Sequence, residues 1–160
     1  MSKLLLHIGC GNRYYEGFVN SDKDAVWPDG SFKKVDAIMD IAKPWPYTDE
    51  SVDGIISMVV FQCLNWIELY PAFQESYRVL KKGGVMRFGV VLEETNQPLR
   101  RFLFGRNIQV YNFELFRSVL TGRIGYSSIK LCNYKETAMP EFVPIDSRRD
   151  RGTSYIEVTK

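Results

Sequence analysis

Several common kinds of chemistry lack their raw material in this chain. Among 160 residues there is one histidine, His7, so imidazole proton transfer has a single candidate. The three cysteines, Cys10, Cys63 and Cys132, are odd in number and scattered. They form no Cys-x-x-Cys and no Cys/His cluster, so no structural zinc site is expected. A reducing, cytoplasmic location is expected instead. Basic and acidic residues nearly cancel, 21 against 19, for a net charge of +2. That balance gives no nucleic-acid signal and no membrane signal. No apolar run approaches the roughly 18 residues of a membrane span. The run Leu4–Ile8 is too short for a signal peptide and lacks a cleavage site, so the chain reads as soluble and unprocessed. Repeats, low-complexity tracts and linkers are missing too, so residues 1–160 are expected to form one domain.

What is present is an alternation of short apolar runs and amphipathic segments. Leu4–Ile8 is nearly continuous, as in a parallel strand buried on both faces. Phe18–Asp22, Val35–Asp40, Val52–Ser57 and Val85–Leu92 are four further strands. Between the last two, Trp66, Tyr70, Phe73, Tyr77 and Leu80 make one helical stripe, with Asn65 and Glu68 as cap and capping-box partner. Pro71 predicts a short turn followed by a main helix from about residue 70. Lys81 and Lys82 suit the negative end of that helix, and Gly83 its left-handed stop. Asn112–Leu120 reads as a second helix, capped by Asn112 and ended by Gly122. Ser127–Asn133 and Ser154–Thr159 are closing strands around a long polar stretch, 134–152. The expected fold is an α/β layer structure.

In such sheets ligands bind beyond the carboxyl ends of the strands, where strand order switches direction. Gly9-Cys10-Gly11 ends the first strand, and the two glycines allow a tight turn and close backbone approach. Asp22 ends the second strand, where a carboxylate can accept both hydroxyls of a ribose. Asp40 ends the third, where it can accept from an adenine amino group. A dinucleotide is disfavoured: the third glycine of its fingerprint is Tyr14 here, and the acid arrives after about half the usual ~20 residues. No Gly-Lys-Ser/Thr follows the glycines either. A nucleoside without a pyrophosphate fits better.

The runs Leu6–Arg13, Glu16–Asp22, Asp40–Ser57 and Glu75–Arg87 together resemble the class I S-adenosylmethionine-dependent methyltransferases, specifically small members with a shortened first helix. The resemblance covers roughly residues 4–92 and returns at the closing strand, 154–159. It implies a Rossmann-like fold: a mostly parallel seven-stranded sheet with an antiparallel last strand and helices on both faces. It also implies S-adenosylmethionine as cofactor and S-adenosylhomocysteine as product. Gly9, Cys10 and Gly11 would line the methionine part, Asp22 the ribose, Asp40 and Ile41 the adenine, and Ser57 with Met58 the floor near the sulfonium. His7 takes the place, two before the first glycine, where relatives carry an acidic or amide residue, and it is counted with the cofactor residues. Read by itself, His7 is a buried strand residue bonded to backbone, with a general base as the alternative.

The chain departs from the family after the fourth strand. Relatives often show Ser-Glu-His-Val-Leu-Glu-His-Leu, whereas this chain has Ser57-Met-Val-Val-Phe-Gln-Cys-Leu64. Acid/base groups are thereby lost, although displacement on an activated sulfonium can rest largely on orientation. The expected activity is methyl transfer to a small-molecule or carbohydrate-type acceptor, with no catalytic residue assigned. The alternative is a degenerate, non-catalytic binding or interaction protein. Tyr14, Tyr15, Trp27, Trp45 and Tyr47 either pack the core or line the ligand side. Arg100, Arg101 and Arg106, with Phe102 and Phe104, read as an amphipathic surface segment, and Arg148–Arg151 as a solvated loop. The short first helix leaves room for a partner subunit, such as a second copy in a homodimer, to complete the cofactor's cover.

Overall fold

The computed structural model describes residues 2–92, 111–145 and 153–160. Its strands are β1 (Leu5–Ile8), β2 (Val19–Asp22), β3 (Ala37–Ile38), β4 (Val52–Met58), β5 (Leu80–Val90), β6 (Ser128–Cys132) and β7 (Ser154–Thr159). They form one sheet in the order β3-β2-β1-β4-β5-β7-β6. The first five are parallel, and β7 runs antiparallel between β5 and β6. Strand order reverses at β1, which opens a crevice beyond the ends of β1 and β4.

Side-chain alternation divides the core in two. Leu6, Ile8, Ile55, Met86, Phe88, Ile156 and Val158 face helices α1 (Trp66–Val79) and α2 (Phe113–Val119). Phe61, Phe73, Phe88 and Phe116 meet there, with ring centroids 4.7 to 5.8 Å apart. Each such ring contributes about 1.5–3 kcal/mol on burial. On the opposite face Leu5, Ile56 and Val85 are covered by Met139, Phe142 and Ile145, which flank a 3₁₀ turn at Pro140–Phe142. The first part of the polar 134–152 stretch is thus a lid on the sheet. Residues 93–110 and 146–152, with both arginine groups read from the sequence, lie outside the described residues.

Four local expectations are corrected. Helix α1 runs unbroken through Pro71. The Asn65 side chain accepts from the Ile67 and Glu68 N–H groups while Glu68 accepts from Asn65 N–H, so both ends of the capping box close. Burial of Leu69, Ala72, Phe73 and Val79 then outweighs the one backbone bond that proline forfeits. The short turn stands apart, as a 3₁₀ turn at Phe61–Cys63. Secondly, α1 ends at Val79, not at Gly83. Leu80 is already extended and paired with Val52 in the sheet. Lys81 therefore serves no helix end, and its ammonium lies 2.8 Å from both Asp53 carboxylate oxygens. Gly83, at φ +76°, turns an irregular stretch inside β5. Thirdly, α2 passes Gly122 into a π-turn at Leu120–Ile124 and stops at Gly125, φ +108°. Finally, β3 is only Ala37–Ile38: before it the Asp36 carboxylate rather than strand backbone takes the Asn20 N–H at 2.8 Å, and Asp40 lies two residues past its end. No helix among the described residues is long and apolar enough to cross a membrane.

Candidate functional site

The glycine turn after β1 is left-handed at both glycines, φ +65° at Gly9 and +57° at Gly11. The reasons for glycine differ. A β-carbon on Gly9 would lie 2.2 Å from Val60 Cγ2, whereas one on Gly11 would lie an ordinary 3.7 Å from the Trp27 ring. The turn is tied to β2 by the Gly11 N–H, which donates to Asp22 Oδ2 at 2.8 Å. Cys10 N–H donates to Ser21 O at 3.0 Å.

Asp22 has a second partner. Lys33 Nζ donates to Asp22 Oδ1 at 2.9 Å, and the lysine side chain is only 7% exposed. Asp40 is held in the same way, by the Ala42 N–H at 3.1 Å and by Lys23 Nζ at 3.2 Å. Burial opposes its ionisation, but that N–H and that lysine prevail and keep the carboxyl below the usual range. Between the two aspartates the chain folds back as an arm. Val26 and Phe32 form an antiparallel bridge, and Trp27 N–H donates to Ser31 O at 2.8 Å. The tip turns at Gly30, φ +85°.

These parts surround a cleft of about 630 Å³. Gly9, Gly11, Asp22, Asp40, Ile41 and Met58 of the expected residues line it. His7, Cys10 and Ser57 do not. His7 is buried on the opposite face, edge-on to Tyr15 at 5.4 Å. Its Nδ1 meets the Asn20 side-chain oxygen at 3.1 Å, not backbone as expected. Burial pulls the His7 pKa below its ordinary value, and the Asn20 contact offsets this only in part. Cys10 is buried with its thiol pushed up to about 11, first by burial and then by Asp22, so it stays protonated near neutral pH. Ser57 is fully buried, and its hydroxyl has no hydrogen-bond partner among the described residues.

Of the five aromatics Tyr14, Tyr15, Trp27, Trp45 and Tyr47, Trp27 alone walls the cleft. Trp45 is buried in the core with its N–H on Ile41 O, Tyr47 packs against that core, Tyr15 sits under the opposite face, and the Tyr14 hydroxyl donates to Asp36. The floor is apolar: Met58, Val59, Val60, Cys63 and Leu64, with Glu68 at its rim. Val59 is left-handed at φ +64°, a costly conformation for a β-branched residue. Phe61 stays out of the cleft, stacked 4.7 Å from Phe73. Lys23, Lys33 and the Val59–Val60 wall were not anticipated. The turn signal Pro28-Asp29-Gly30 is the one sequence feature that marks where the arm doubles back.

Residues 6–88 match the family described as "Methyltransferase domain", just over half the chain. The chain belongs to this family, and its fold is that of the class I S-adenosylmethionine-dependent methyltransferases. No curated protein matches. Solved structures share the architecture at low identity. An S-adenosylmethionine-dependent methyltransferase from Thermotoga maritima, described as a possible histamine N-methyltransferase, is 18% identical with a TM-score of 0.64; the alignment covers 98% of this chain and 82% of that one. The Haloferax volcanii complex between the Trm112 methyltransferase activator and a protein assigned as a methyltransferase gives 16%, 0.64, and coverage of 99% and 82%. A Haemonchus contortus phosphoethanolamine N-methyltransferase, solved with S-adenosylhomocysteine, gives 14% and 0.63, covering all of this chain but 49% of that one.

The methyltransferase domain carries one further device near the cleft. Arg78 donates to Glu75, to Asp49 and to the Tyr47 and Trp45 carbonyls, while Glu75 accepts the Trp45 N–H. These bonds clamp the segment that follows Asp40 and Ile41 onto α1.

Proposed function

We propose that the chain binds S-adenosylmethionine in this cleft and transfers its methyl group by direct displacement to a small-molecule or carbohydrate-type acceptor. One observation carries the reading: two left-handed glycines, the carboxylate ending β2 and the Asp40 carboxylate just past β3 line the same cleft. The residues suit the group. Gly9 and Gly11 present bare backbone, Asp22 offers carboxylate oxygens to a diol, and Asp40 with Ile41 suits a ring that carries an amino group. Cys10, His7 and Ser57 would support this wall from behind. Four carboxylates, Asp22, Asp24, Asp40 and Glu68, face the cleft against two lysines, which favours a cationic ligand. When bound, the cofactor supplies a methyl group already activated by a sulfonium. The chain's residues then have to orient the acceptor and exclude water along the apolar floor. One structural relative is described as a possible histamine N-methyltransferase and another as a phosphoethanolamine N-methyltransferase, in keeping with a small acceptor.

That floor also favours a second reading, a non-catalytic binding protein, because Met58, Val59, Val60 and Leu64 cannot move a proton. The reading extends to one cytoplasmic domain whose cleft is walled on one side by its own arm. Calorimetry with S-adenosylhomocysteine is the test. Binding is expected, weakened about 10- to 100-fold in Asp22→Ala. No binding at millimolar ligand removes the cofactor assignment. Cofactor turnover against an acceptor panel separates the enzyme from the binding protein.

A further inference from the structure

The arm that follows β2 has a role that neither the family nor the glycine turn assigns. Lys33 places its ammonium on Asp22 Oδ1 at 2.9 Å, while Oδ2 is held by the Gly11 N–H at 2.8 Å. Both carboxylate oxygens are therefore engaged, and Oδ1 is the one not committed to the glycine turn. The same ammonium lies over the Trp27 ring, 4.1 Å from a centroid. Trp27 in turn stands 3.7 Å from the β-carbon position of Gly11 and donates its indole N–H to Asn12 Oδ1 at 2.7 Å. Lys33 and Trp27 both line the cleft. The lysine is held from behind as well, since its backbone N–H donates to Ala25 O at 2.8 Å across the arm. It is thus a placed group and not a surface side chain that drifts across an acid.

We propose that Lys33 is a latch on the diol-accepting oxygen of Asp22, that a ribose diol binds by displacing it, and that Trp27 is the wall contacted by the bound nucleoside. The proposal rests on the cofactor reading above and names the residues that set affinity and report occupancy at that site. Physically, ligand binding exchanges one charge-assisted bond, N⁺–H to carboxylate, for hydroxyl donors to the same oxygen. The free protein is stabilised by a pair that the complex lacks, so the latch lowers affinity for any diol. The arm's hairpin keeps the released lysine close, because the Val26–Phe32 bridge makes no use of the ammonium. Loss of the ligand therefore restores the pair without refolding the arm.

The test is calorimetry with S-adenosylhomocysteine on wild type, Lys33→Gln and Lys33→Met, with tryptophan emission recorded in parallel. Both variants are expected to bind about three- to tenfold more tightly than wild type, the range for the net worth of one hydrogen bond. Their melting temperatures should lie below wild type without ligand and converge with it at saturation. Emission should change on binding in wild type and Lys33→Gln, and not in Trp27→Phe. Equal or weaker binding by a folded Lys33 variant removes the latch while leaving the cofactor reading intact. A full emission response in Trp27→Phe removes the wall. Absence of binding by wild type and variants alike removes the cofactor reading and the latch with it.

Discussion

Replacing each glycine of the β1 turn by alanine separates two reasons for glycine that sequence alone cannot tell apart. Both residues are left-handed, and an alanine in that region costs roughly 1–2 kcal/mol. For Gly11→Ala that is the whole penalty, since the new methyl meets Trp27 at an ordinary 3.7 Å. Gly9→Ala adds a collision, with Val60 Cγ2 at 2.2 Å and Cγ1 at 2.9 Å. Overpacking of this kind costs about 1–3 kcal/mol more, because Val60 must change rotamer or carry its backbone away. Taking about 1 kcal/mol for Gly11→Ala and about 3 kcal/mol for Gly9→Ala, and about 3 °C per kcal/mol for a chain of this size, the melting temperature should fall by about 3 °C and about 9 °C. Val60→Ala removes both colliding methyls. The double variant Gly9→Ala/Val60→Ala should therefore be about 1–2 kcal/mol more stable than the sum of the single losses predicts. Thermal unfolding followed by circular dichroism reads the four variants against wild type. Equal losses at the two glycines, or strict additivity in the double variant, would refute the argument that Val60 sets the need for glycine at position 9.

Two further outcomes follow from the charge and thiol environments. Stability should decline in two stages as pH falls. His7 is neutral in the fold because burial lowers its pKa, whereas the unfolded chain takes up a proton below about pH 6.5, so the first loss begins there and is absent in His7→Gln. The steeper stage begins below about pH 4.5, as the unfolded chain takes up protons that Glu75, Asp53 and Glu136 refuse. Arg78 holds Glu75 below its ordinary value, Lys81 does the same for Asp53, and Lys130 with Asn133 brings Glu136 to about 2. Melting temperatures across pH 2–8 check both stages, and a flat profile between pH 7 and 5 counts against a buried neutral His7. The second outcome concerns alkylation. Iodoacetamide at pH 8 should modify exposed Cys63 well before buried Cys10 and Cys132, whose thiols are pushed up by burial, as peptide mass mapping over time would show. Early labelling of Cys10 would contradict the closed turn.

How much of this was legible depended on whether the signal was local. Strand β1, the Asn65 capping box, the Asn112 cap and Asp22 at the end of β2 all rest on short-range patterns, and the structure keeps them, whereas Asp40 falls two residues past β3 and still lines the cleft. The failures share a cause, which is that a distant partner decided a local choice. Gly83 reads as a helix stop until Val52 is seen to recruit Leu80 into the sheet three residues earlier. Pro71 reads as a break until the packing of Leu69 and Phe73 on the sheet is weighed against one missing bond. His7 was assigned to backbone because nothing near it in sequence reveals Asn20, thirteen residues on and one strand across.

The site was legible in its anchors and not in its walls, and the cleft floor shows why. Val59 and Val60 lie past the fourth strand as read from the sequence, where nothing marks a turn, yet Val59 is left-handed and its N–H donates to Gly89 O at 3.0 Å. That turn sends Val60 back over Gly9, so the floor and the glycine turn define each other's shape. The family pattern carries valine at the place of Val60 as well, so the packing on Gly9 is common to both, and the ionisable group that is lost here is the histidine at the place of Val59. Here Val59 puts an aliphatic side chain at that place. A Val59→His variant restores one lost group while Val60 keeps its packing on Gly9. Its cost in stability would report how far this floor has been rebuilt around orientation in place of proton transfer.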